Sequence, residues 1–362
     1  MTIFTDVFKP LQVGSLNLPH RIVMAPLTRC RADHEHNPTG LMTDYYAQRA
    51  SAAFIVTEAT MVMANCSAFG GTEPGIYSKE QVLGWKKITD AVHGKGGKIV
   101  LQLWHGGRAC HPLLNKGHEC VSASAIAIEG ETYTSQGKVA YTVPRALELS
   151  EIPKIVEGFK LAAMNAKEAG FDGVEVHGAN GYILDQFLRD SCNKRTDSYG
   201  GSITNRAKLL LEVTRSVIGV WGADKVGVRL SPLNSYNSMK DSNPLELTAY
   251  ITKELSGLKI AYLHMMRADF FGLQTGDVMS VARENFKGVL IGNMGYSAEE
   301  ANTAIHKGLM DAVAFGHHYV SNPDLVERIK QGVALVEPDQ KTYYTTAAEG
   351  YTDYPTMESK RS

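Results

Sequence analysis

The chain alternates between short apolar runs rich in β-branched residues and longer stretches in which apolar residues recur with helical spacing. This alternation is typical of parallel strands joined by crossover helices. Because eight such units follow one another, the pattern favours an α/β fold of the closed (β/α)8 TIM barrel type over an open, doubly wound sheet. The predicted strands are residues 22–27, 54–60, 98–105, 173–179, 225–231, 261–267, 288–294 and 312–318.

Two segments fall outside the repeating unit. Residues 7–20 predict an N-terminal hairpin that closes the barrel floor, and residues 119–143 form a polar, glycine-containing insertion after the third strand. Insertions on the carboxyl side of barrel strands usually shape the mouth of the active site. Since no second domain is visible in the pattern, residues 1–362 are expected to form a single domain.

Several helix ends carry local signals. Asn322 and Pro323 are suited to an N-cap followed by proline at the first helical position, and the spacing of Ser297 and Glu300 matches a capping box. Gly170 is expected to end the helix before the fourth strand, because glycine readily adopts the left-handed conformation that closes a helix.

Composition excludes several classes of partner. The chain has 37 basic and 38 acidic residues, a net charge of -1 and no dense basic run, so neither nucleic acid nor a membrane surface is an expected partner. Five scattered cysteines without a C-x-x-C pair favour a reducing compartment and indicate no metal site. With no signal pattern and no membrane-length apolar run, we expect a cytoplasmic monomer or homodimer that acts on a small molecule. The polar tail, residues 358–362, is assigned no targeting role.

Polar side chains cluster where the predicted strands end. In a barrel, catalytic groups come from the carboxyl ends of different strands, so these positions are the first candidates for an active site. Taken singly, each has a structural explanation: a lone His177 is more often a hydrogen-bonded structural residue, and Tyr182 more often lies in a core. Asn180 alone fits a loop cap, and Arg229 alone fits half of an ion pair. The strand-end histidines without an evident partner are His105, His317 and His318.

Five motifs occur together along the chain. They are Met24-Ala25-Pro26-Leu27-Thr28-Arg29, Gln102-Leu103-Trp104-His105, His177-Gly178-Ala179-Asn180-Gly181-Tyr182, residues 193–202 with Asn205-Arg206, and residues 349–355. In combination they resemble the old yellow enzyme family, and the likeness extends over nearly the whole chain. Residues 231–234 and 261–264 are most similar to the kinetoplastid members named prostaglandin F2-alpha synthases.

The resemblance implies an FMN-dependent NAD(P)H oxidoreductase, that is, an NADPH dehydrogenase or ene reductase with ping-pong kinetics. NADPH would reduce bound FMN and NADP+ would leave before N5 of the flavin passes the hydride to an electron-poor alkene. The implied acceptors are enones, quinones, nitro compounds and, in the kinetoplastid subgroup, a prostaglandin endoperoxide.

The resemblance also assigns the flavin site. Gln102 offers both a donor and an acceptor to the pyrimidine edge, Arg229 places a cation near N1, and Thr28 donates to O4. Cys30 is expected to be a bystander, since a subclass of the family has its cysteine at the position of Thr28. The cofactor-binding residues implied in this way are Ala25, Pro26, Leu27, Thr28, Ala59, Gln102, Arg229, Gly292, Asn293, Gly316 and His317.

His177 and Asn180 lie three positions apart, a spacing that turns both side chains toward one acceptor if the segment begins a helical turn. By resemblance they hold a carbonyl or nitro oxygen, which makes the conjugated carbon electron-poor and stabilises the developing enolate. Tyr182 resembles the general acid that protonates the neighbouring carbon. The expected substrate-binding residues are Trp104, Phe69 and Tyr351. For Trp104 and Phe69, packing in the core is an equally open interpretation.

The phosphate end departs from the family pattern. Gly292, Gly295 and Gly316 permit close backbone approach, and the helices after strands seven and eight begin nearby. Many family members have an arginine directly after the glycine of strand eight, whereas this chain has His317. Because an imidazole is a weaker phosphate partner than a forked guanidinium, fewer charge-assisted bonds are expected there.

Two other functional classes stay open at the level of sequence. One is a flavin-free barrel enzyme, either a glycosidase with Glu58 and Glu175 as its carboxylate pair or a metal-dependent aldolase. Against it, Glu175 lies within a strand rather than at its end, and no cluster has metal-ligand spacing. The other is a non-catalytic binding module, which the intact set of polar strand-end residues disfavours. A colourless protein would favour the first class, and a yellow protein without turnover the second.

Overall fold

The computed structural model describes residues 4–358, so residues 359–362 of the polar tail lie outside the described part. In chain order the strands are β1 (Leu11–Val13), β2 (Leu16–Leu18), β3 (Ile22–Met24), β4 (Ile55–Val56), β5 (Thr60–Met61), β6 (Ile99–Trp104), β7 (Val121–Ser122), β8 (Glu131–Thr134), β9 (Gly137–Ala140), β10 (Arg145–Ala146), β11 (Gly173–Gly178), β12 (Val226–Leu230), β13 (Tyr262–Met266), β14 (Val289–Asn293) and β15 (Ala312–Phe315). The helices are α1 (Gly40–Gln48), α2 (Lys79–Gly94), α3 (Ile152–Glu168), α4 (Ile183–Leu188), α5 (Ile203–Trp221), α6 (Pro244–Gly257), α7 (Val278–Asn285), α8 (Ala298–His306), α9 (His317–Ser321) and α10 (Leu325–Gln331).

The central sheet is a closed parallel barrel. β11 pairs with β12 on one side and with β6 on the other, and β15 pairs with β3, so the ring of strands closes on itself. The second predicted strand is broken into β4 and β5, both of which pair with β6. The prediction of an eight-stranded barrel is therefore confirmed. None of the helices within residues 4–358 is both long and apolar enough to cross a membrane.

The predicted N-terminal hairpin closes the amino-terminal end of the barrel. β1 and β2 are antiparallel, and Val13 and Leu18 pack against Phe54 from the barrel interior. Gly14 has a φ of +54°, and a Cβ added to it would lie 1.8 Å from the Asp224 carbonyl oxygen. The turn therefore needs glycine both for its left-handed backbone and for its close approach to the residues before β12.

The predicted insertion after the third barrel strand contains its own small sheets. β8 and β9 form an antiparallel hairpin with Tyr133 exposed, while β7 and β10 pair in parallel beside the barrel. The helices pack outside the strands, as the apolar spacing predicts. In α2, for example, the Ser78 and Gln81 side chains form a reciprocal capping box, and Trp85 and Ile88 are fully buried. Burying side chains of this size stabilises the fold by about 1.5–3 kcal/mol each.

Some local boundaries differ from the predictions. The eighth strand ends at Phe315, because His317 and His318 already belong to α9. The prediction of Asn322 as an N-cap is wrong, since Asn322 follows the last residue of α9 and its side chain donates back to the His318 carbonyl at 2.9 Å. Asp324 is the N-cap of α10.

Of two other helix-end predictions, the one for Gly170 is confirmed and the one for Ser297 is confirmed in part. Gly170 follows the end of α3 with a φ of +82°, as expected for a left-handed closing residue. Ser297 caps α8 by accepting a hydrogen bond from the Glu300 amide at 3.1 Å. The Glu300 carboxylate, however, pairs with Arg267, so the reciprocal half of the predicted capping box is replaced by an ion pair.

Candidate active site

A cavity of about 750 Å³ opens where the barrel strands end. Its position follows from the parallel sheet, because all the strands deliver their carboxyl ends to the same side of the barrel. Most residues predicted for the site line this cavity. They are Ala25, Pro26, Leu27, Thr28, Ala59, Phe69, Gln102, His177, Asn180, Tyr182, Arg229, Asn293, Gly316 and His317.

His177 lies near the end of β11 and is held in one tautomer. Its Nδ1 accepts a hydrogen bond from the Ala179 amide at 3.3 Å, so the proton of the neutral ring is on Nε2. Burial, together with the positive charge of Arg229, lowers the pKa of His177 well below its usual range. The ring is therefore neutral at physiological pH, and it offers a single N–H donor to the cavity.

Asn180 reaches the cavity in a way that the spacing did not predict. The condition of a helical turn is not met: Asn180 has a φ of +57°, and α4 begins only at Ile183. The Asn180 amide donates to Ser231 Oγ at 2.8 Å, and its side-chain Oδ1 accepts from Asn234 Nδ2 at 2.9 Å. Because the oxygen is occupied, the Nδ2 donor is left for the cavity.

Tyr182 occupies the N-cap position of α4 and packs edge-on against two other rings. The ring centroids lie 5.2 Å from Trp104 and 5.1 Å from His177. Burial, reinforced by the neighbouring Tyr236, raises the pKa of the Tyr182 phenol well above its usual range. The hydroxyl therefore keeps its proton, which a general acid must do until the transfer step.

Gln102 and Arg229 form the polar end of the cavity. Arg229 donates from Nη2 to Asn293 Oδ1 at 2.9 Å, while its buried Nε has no partner within residues 4–358. Gln102 donates from Nε2 to Glu175 at 2.8 Å, which leaves its carbonyl oxygen for the cavity. A buried cation with an unused donor, beside an amide acceptor, fits the polar edge of FMN, which gains negative charge on reduction.

The opposite end of the cavity is lined by backbone with glycine at close-approach positions. Gly295 and Gly316 both line it, and Arg267 donates to the Gly295 carbonyl at 2.8 Å, which fixes this turn. His317 begins α9, with its ring nitrogens 3.1 Å from the Glu337 carboxylate and 3.2 Å from the Tyr343 hydroxyl. A phosphate bound here would thus meet an imidazole that already has two partners.

Three predicted site residues, Gly292, Trp104 and Tyr351, lie outside the cavity lining. At Gly292, an added Cβ would lie 2.3 Å from Met310 Sδ, so the missing side chain leaves room for Met310 to pack against β14. Trp104 is fully buried behind Tyr182. Tyr351 is also fully buried, where its ring stacks on Tyr45 at 4.1 Å.

Phe69 was predicted at the rim of the cavity, but the aromatic residues Tyr236, Phe270 and Tyr344 beside it were missed at the level of sequence. Tyr236 and Phe270 contact each other edge-on at 6.2 Å, and Tyr344 stacks on Phe69 at 6.2 Å. Tyr344 comes from the segment before the C-terminus, which Arg31 holds by donating to the Tyr343 carbonyl at 2.8 Å. These aromatic residues lie in the segments that connect the main strands and helices. At the level of sequence, only this location could have indicated them as site residues.

The two glutamates of the glycosidase alternative do not form a catalytic pair. Glu58 accepts hydrogen bonds from the Arg29 amide and the Tyr46 hydroxyl, both at 3.1 Å, and burial raises its pKa to about 7. Glu175 is bonded to Gln102 and His264 inside the barrel. Neither glutamate lines the cavity, so the two carboxylates that a glycosidase mechanism needs are not available to a substrate there.

The remaining strand-end histidines and Cys30 differ in whether they reach the cavity. His105 accepts from the Gly107 amide at 3.0 Å and is buried away from the cavity. Cys30 is buried and donates from its thiol to the Phe69 carbonyl, in agreement with a bystander position. His318 does line the cavity beside His317. Within residues 4–358, no three His, Cys, Asp or Glu side chains converge in a way that could hold a metal ion.

Comparisons with known proteins agree with this geometry. The model of the NADH:flavin oxidoreductase / NADH oxidase family matches residues 6–335. A probable flavin mononucleotide-dependent alkene reductase of Leishmania infantum is 49% identical over 357 residues, which cover 97% of each chain. The structure of the old yellow enzyme from Trypanosoma cruzi has a TM-score of 0.95 at 45% identity and covers 98% of this chain and 99% of that one. Morphinone reductase in complex with tetrahydroNAD has a TM-score of 0.93 at 43% identity, with 99% of both chains covered.

These similarities extend over nearly the full length of both partners, and two of the three proteins come from kinetoplastids, as the similarity of residues 231–234 and 261–264 suggested. The barrel fold is thus shared with these proteins, and so is close to half of the sequence. The chain belongs to the NADH:flavin oxidoreductase / NADH oxidase family, and within it to the old yellow enzymes.

Proposed function

We propose that this old yellow enzyme uses bound FMN to carry a hydride from a nicotinamide nucleotide to an activated alkene. The observation that carries the proposal is the pair of free donors, His177 Nε2–H and Asn180 Nδ2–H, in one cavity with the Tyr182 hydroxyl. FMN supplies the hydride-transfer chemistry when it is bound. Enones, quinones and nitro compounds all have an oxygen that the two donors can hold.

The protein's own groups perform the remaining tasks. His177 and Asn180 bind the carbonyl or nitro oxygen and stabilise the negative charge that develops on it, because both donors are already aimed at the cavity. Tyr182 holds a proton on its hydroxyl and donates it to the substrate carbon. The aromatic side chains of Phe69, Tyr236 and other rim residues exclude water from the bound alkene.

The cofactor roles follow from the two ends of the cavity. Gln102 accepts from the pyrimidine part of the flavin, Arg229 stabilises the charge of its reduced form, and Thr28 donates beside them. Backbone groups near Gly295 and Gly316 bind the phosphate, with His317 as its side-chain partner. The nicotinamide donor shares the pocket with the alkene, and NADPH is the proposed physiological donor.

An absorbance spectrum tests the proposal in one cuvette. The purified protein is expected to show flavin absorbance that bleaches on anaerobic addition of NADPH and returns on addition of cyclohexenone. A protein that stays colourless after reconstitution with FMN would contradict the proposal. A yellow protein that NADPH bleaches but no enone restores would keep the cofactor and remove the alkene as acceptor.

A phenol tests the two donors separately from turnover. A phenolate resembles the enolate oxygen, so it should bind to His177 and Asn180 and produce a charge-transfer band with FMN. The double substitution His177→Ala with Asn180→Ala is expected to weaken phenol binding by at least about 1 kcal/mol per lost hydrogen bond. Unchanged charge-transfer absorbance would rule out the assignment of these two residues.

A prostaglandin endoperoxide is a second candidate acceptor. It is supported by the similarity of residues 231–234 and 261–264 to prostaglandin F2-alpha synthases, and by the aromatic rim of Phe69, Tyr236 and Tyr344, which suits a long apolar chain. Reduction of the endoperoxide would consume one NADPH and one proton and yield two hydroxyl groups. Mass spectrometry after anaerobic incubation with NADPH checks this, and the absence of a diol would remove the candidate.

We also propose a domain organisation, a cellular location and an oligomeric state for the enzyme. A single domain over residues 1–362 stays a prediction. It is supported, within residues 4–358, by the packing of the N-terminal hairpin and of the C-terminal segment against the same barrel. A cytoplasmic location is supported by the five cysteines, all of which are free and buried. Analytical ultracentrifugation would distinguish the proposed monomer from the homodimer.

A further inference from the structure

A buried polar network lies directly behind the flavin end of the cavity. Glu175 is fully buried in the barrel, with Oε1 accepting from Gln102 Nε2 at 2.8 Å and Oε2 accepting from His264 Nδ1 at 2.9 Å. His264 is itself fully buried and does not line the cavity. A buried carboxylate is costly unless its oxygens are bonded, so this arrangement needs an explanation beyond packing.

The strand register explains how these residues meet. Glu175 on β11 lies directly opposite Gln102 on β6, and Arg229 on β12 lies directly opposite His264 on β13. Glu175 also lies opposite Gly227, two positions before Arg229. Because register partners in parallel strands and residues two positions apart point to the same face, all four side chains project into the barrel. Tyr262 also projects inward, and its ring covers Gly227, where an added Cβ would lie 2.1 Å away.

The charges within the network can be assigned. Burial lowers the pKa of His264, which leaves a neutral ring whose Nδ1–H donates to Glu175 while its Nε2 has no partner within residues 4–358. Burial alone would raise the pKa of Glu175. His264, Arg229 and Gln102 outweigh this effect, so the pKa of Glu175 is lowered. The carboxylate is therefore ionised, and it interacts electrostatically with the buried Arg229.

We propose that Glu175 and His264 are positioning residues that set the reduction potential of the bound flavin, by orienting Gln102 and by placing an unscreened negative charge beside Arg229. The inference rests on the FMN-binding role proposed above. It gives Glu175, one of the two carboxylates of the glycosidase alternative, a role toward a cofactor that it does not touch.

The two effects act on the flavin through different residues. By accepting from Gln102 Nε2, Glu175 keeps the Gln102 carbonyl oxygen turned toward the cavity, where it serves as an acceptor. By its charge, Glu175 offsets part of the field of Arg229, which otherwise favours the negative charge gained on reduction. His264 holds the carboxylate in place and keeps it ionised by donating to Oε2.

Two substitutions of Glu175 separate charge from orientation. Glu175→Gln removes the charge but keeps an oxygen that Gln102 can donate to, so the midpoint potential of bound FMN should rise while its Kd stays within a few-fold of the wild type. Glu175→Leu removes the acceptor as well, and FMN should then bind on the order of tenfold more weakly because Gln102 loses its orientation. Potentials are measured by reductive titration against a reference dye, and Kd by quenching of FMN fluorescence.

Asp241→Asn is the matched control. Asp241 is a buried carboxylate paired with Arg206 at 2.7 Å, and it does not line the cavity. Its substitution makes the same chemical change away from the network and should leave the potential unchanged. An equal shift in Asp241→Asn would mean that the potential responds to general loosening, which would overturn the inference.

The inference would also be overturned if the midpoint potential of Glu175→Gln were equal to or lower than that of the wild type. If Glu175→Gln does not fold, His264→Leu is measured instead. Without its donor the buried carboxyl group should take up a proton, so the potential should again rise, and an unchanged or lower value contradicts the inference. Failure of the wild-type protein to bind FMN would count against the proposed function, whereas equal potentials in FMN-loaded proteins count against the inference alone.

Discussion

Asn234 donates a hydrogen bond from Nδ2 to Oδ1 of Asn180 at 2.9 Å, although 54 positions separate the two residues. The bond decides which end of the Asn180 amide faces the cavity. Since Oδ1 is occupied, the NH2 group is available to an acceptor oxygen, and Asn180 acts as a donor beside His177. The substrate-binding geometry therefore depends on a residue that does not line the cavity.

Asn234→Asp should weaken acceptor binding. The aspartate has no side-chain donor for Asn180 and would attract its NH2 group away from the cavity, while its oxygens can still accept from the Phe270 amide as Asn234 does at 3.2 Å. Loss of one oriented hydrogen bond should weaken phenol binding by about 1 kcal/mol, or about fivefold. Titration of the charge-transfer band measures this. Asn285→Asp, the same change on α7, is the control, and equal weakening in both would contradict the positioning role of Asn234.

Tyr182→Phe should slow the step in which the alkene is reduced. The substitution keeps the ring that packs between Trp104 and His177 but removes the hydroxyl, so the cavity retains its shape and loses its proton donor. Loss of general acid catalysis typically costs about 10²- to 10⁴-fold in rate. Stopped-flow spectroscopy follows the two half-reactions separately, and NADPH oxidation should stay near the wild-type rate. Tyr133→Phe on the exposed hairpin is the control, and equal slowing of both half-reactions would argue against the assigned role.

His105 should reduce the stability of the protein in mild acid. Burial lowers the pKa of His105 to about 4 in the folded protein, whereas the unfolded chain has the ordinary value of 6.5. Between these values the unfolded state binds a proton that the folded state does not, so stability falls as the pH decreases from 6.5 toward 4. At about 1.4 kcal/mol per pKa unit, His105 accounts for about 3 kcal/mol of this loss.

His105→Asn tests this pH dependence, because the asparagine oxygen can still accept from the Gly107 amide. Urea unfolding at several pH values should show a smaller acid loss in the variant than in the wild type. The difference between the two proteins isolates His105 from Glu58, whose raised pKa has the opposite sign and reduces stability as the pH rises toward 7. An acid loss as large as that of the wild type would contradict the prediction, and exposed His34→Asn serves as the control.

His317→Arg combined with Glu337→Gln should tighten FMN binding. The arginine supplies a charged, forked donor at the start of α9, and the second change removes the carboxylate that now lies 3.1 Å from His317 and would compete for the guanidinium. A charge-assisted hydrogen bond contributes about 1.5–3 kcal/mol, so the Kd of FMN should fall at least about tenfold. Fluorescence titration gives the Kd, and an unchanged value would place the phosphate away from His317.

The barrel and most of the site could be predicted from the sequence for the same reason. Short apolar runs and helical spacing are local properties of the chain, and in a parallel barrel every carboxyl strand end lies at one mouth. Gln102, His177 and Arg229 could therefore be placed together without coordinates, and they do line one cavity. The direction of individual side chains could not be predicted in this way. Trp104 and Tyr351 occur in the right segments, but their side chains pack behind the cavity.

By itself, the sequence determined the fold class, the family and which strand ends carry polar groups. Only the tertiary structure decided how those groups are oriented and charged. Asn180 receives its orientation from Asn234, and Glu175 its partner from His264, 89 positions away. Hydrogen-bond direction and pKa depend on which atoms lie within about 3 Å and on how much water is excluded, and both are set by packing between distant segments.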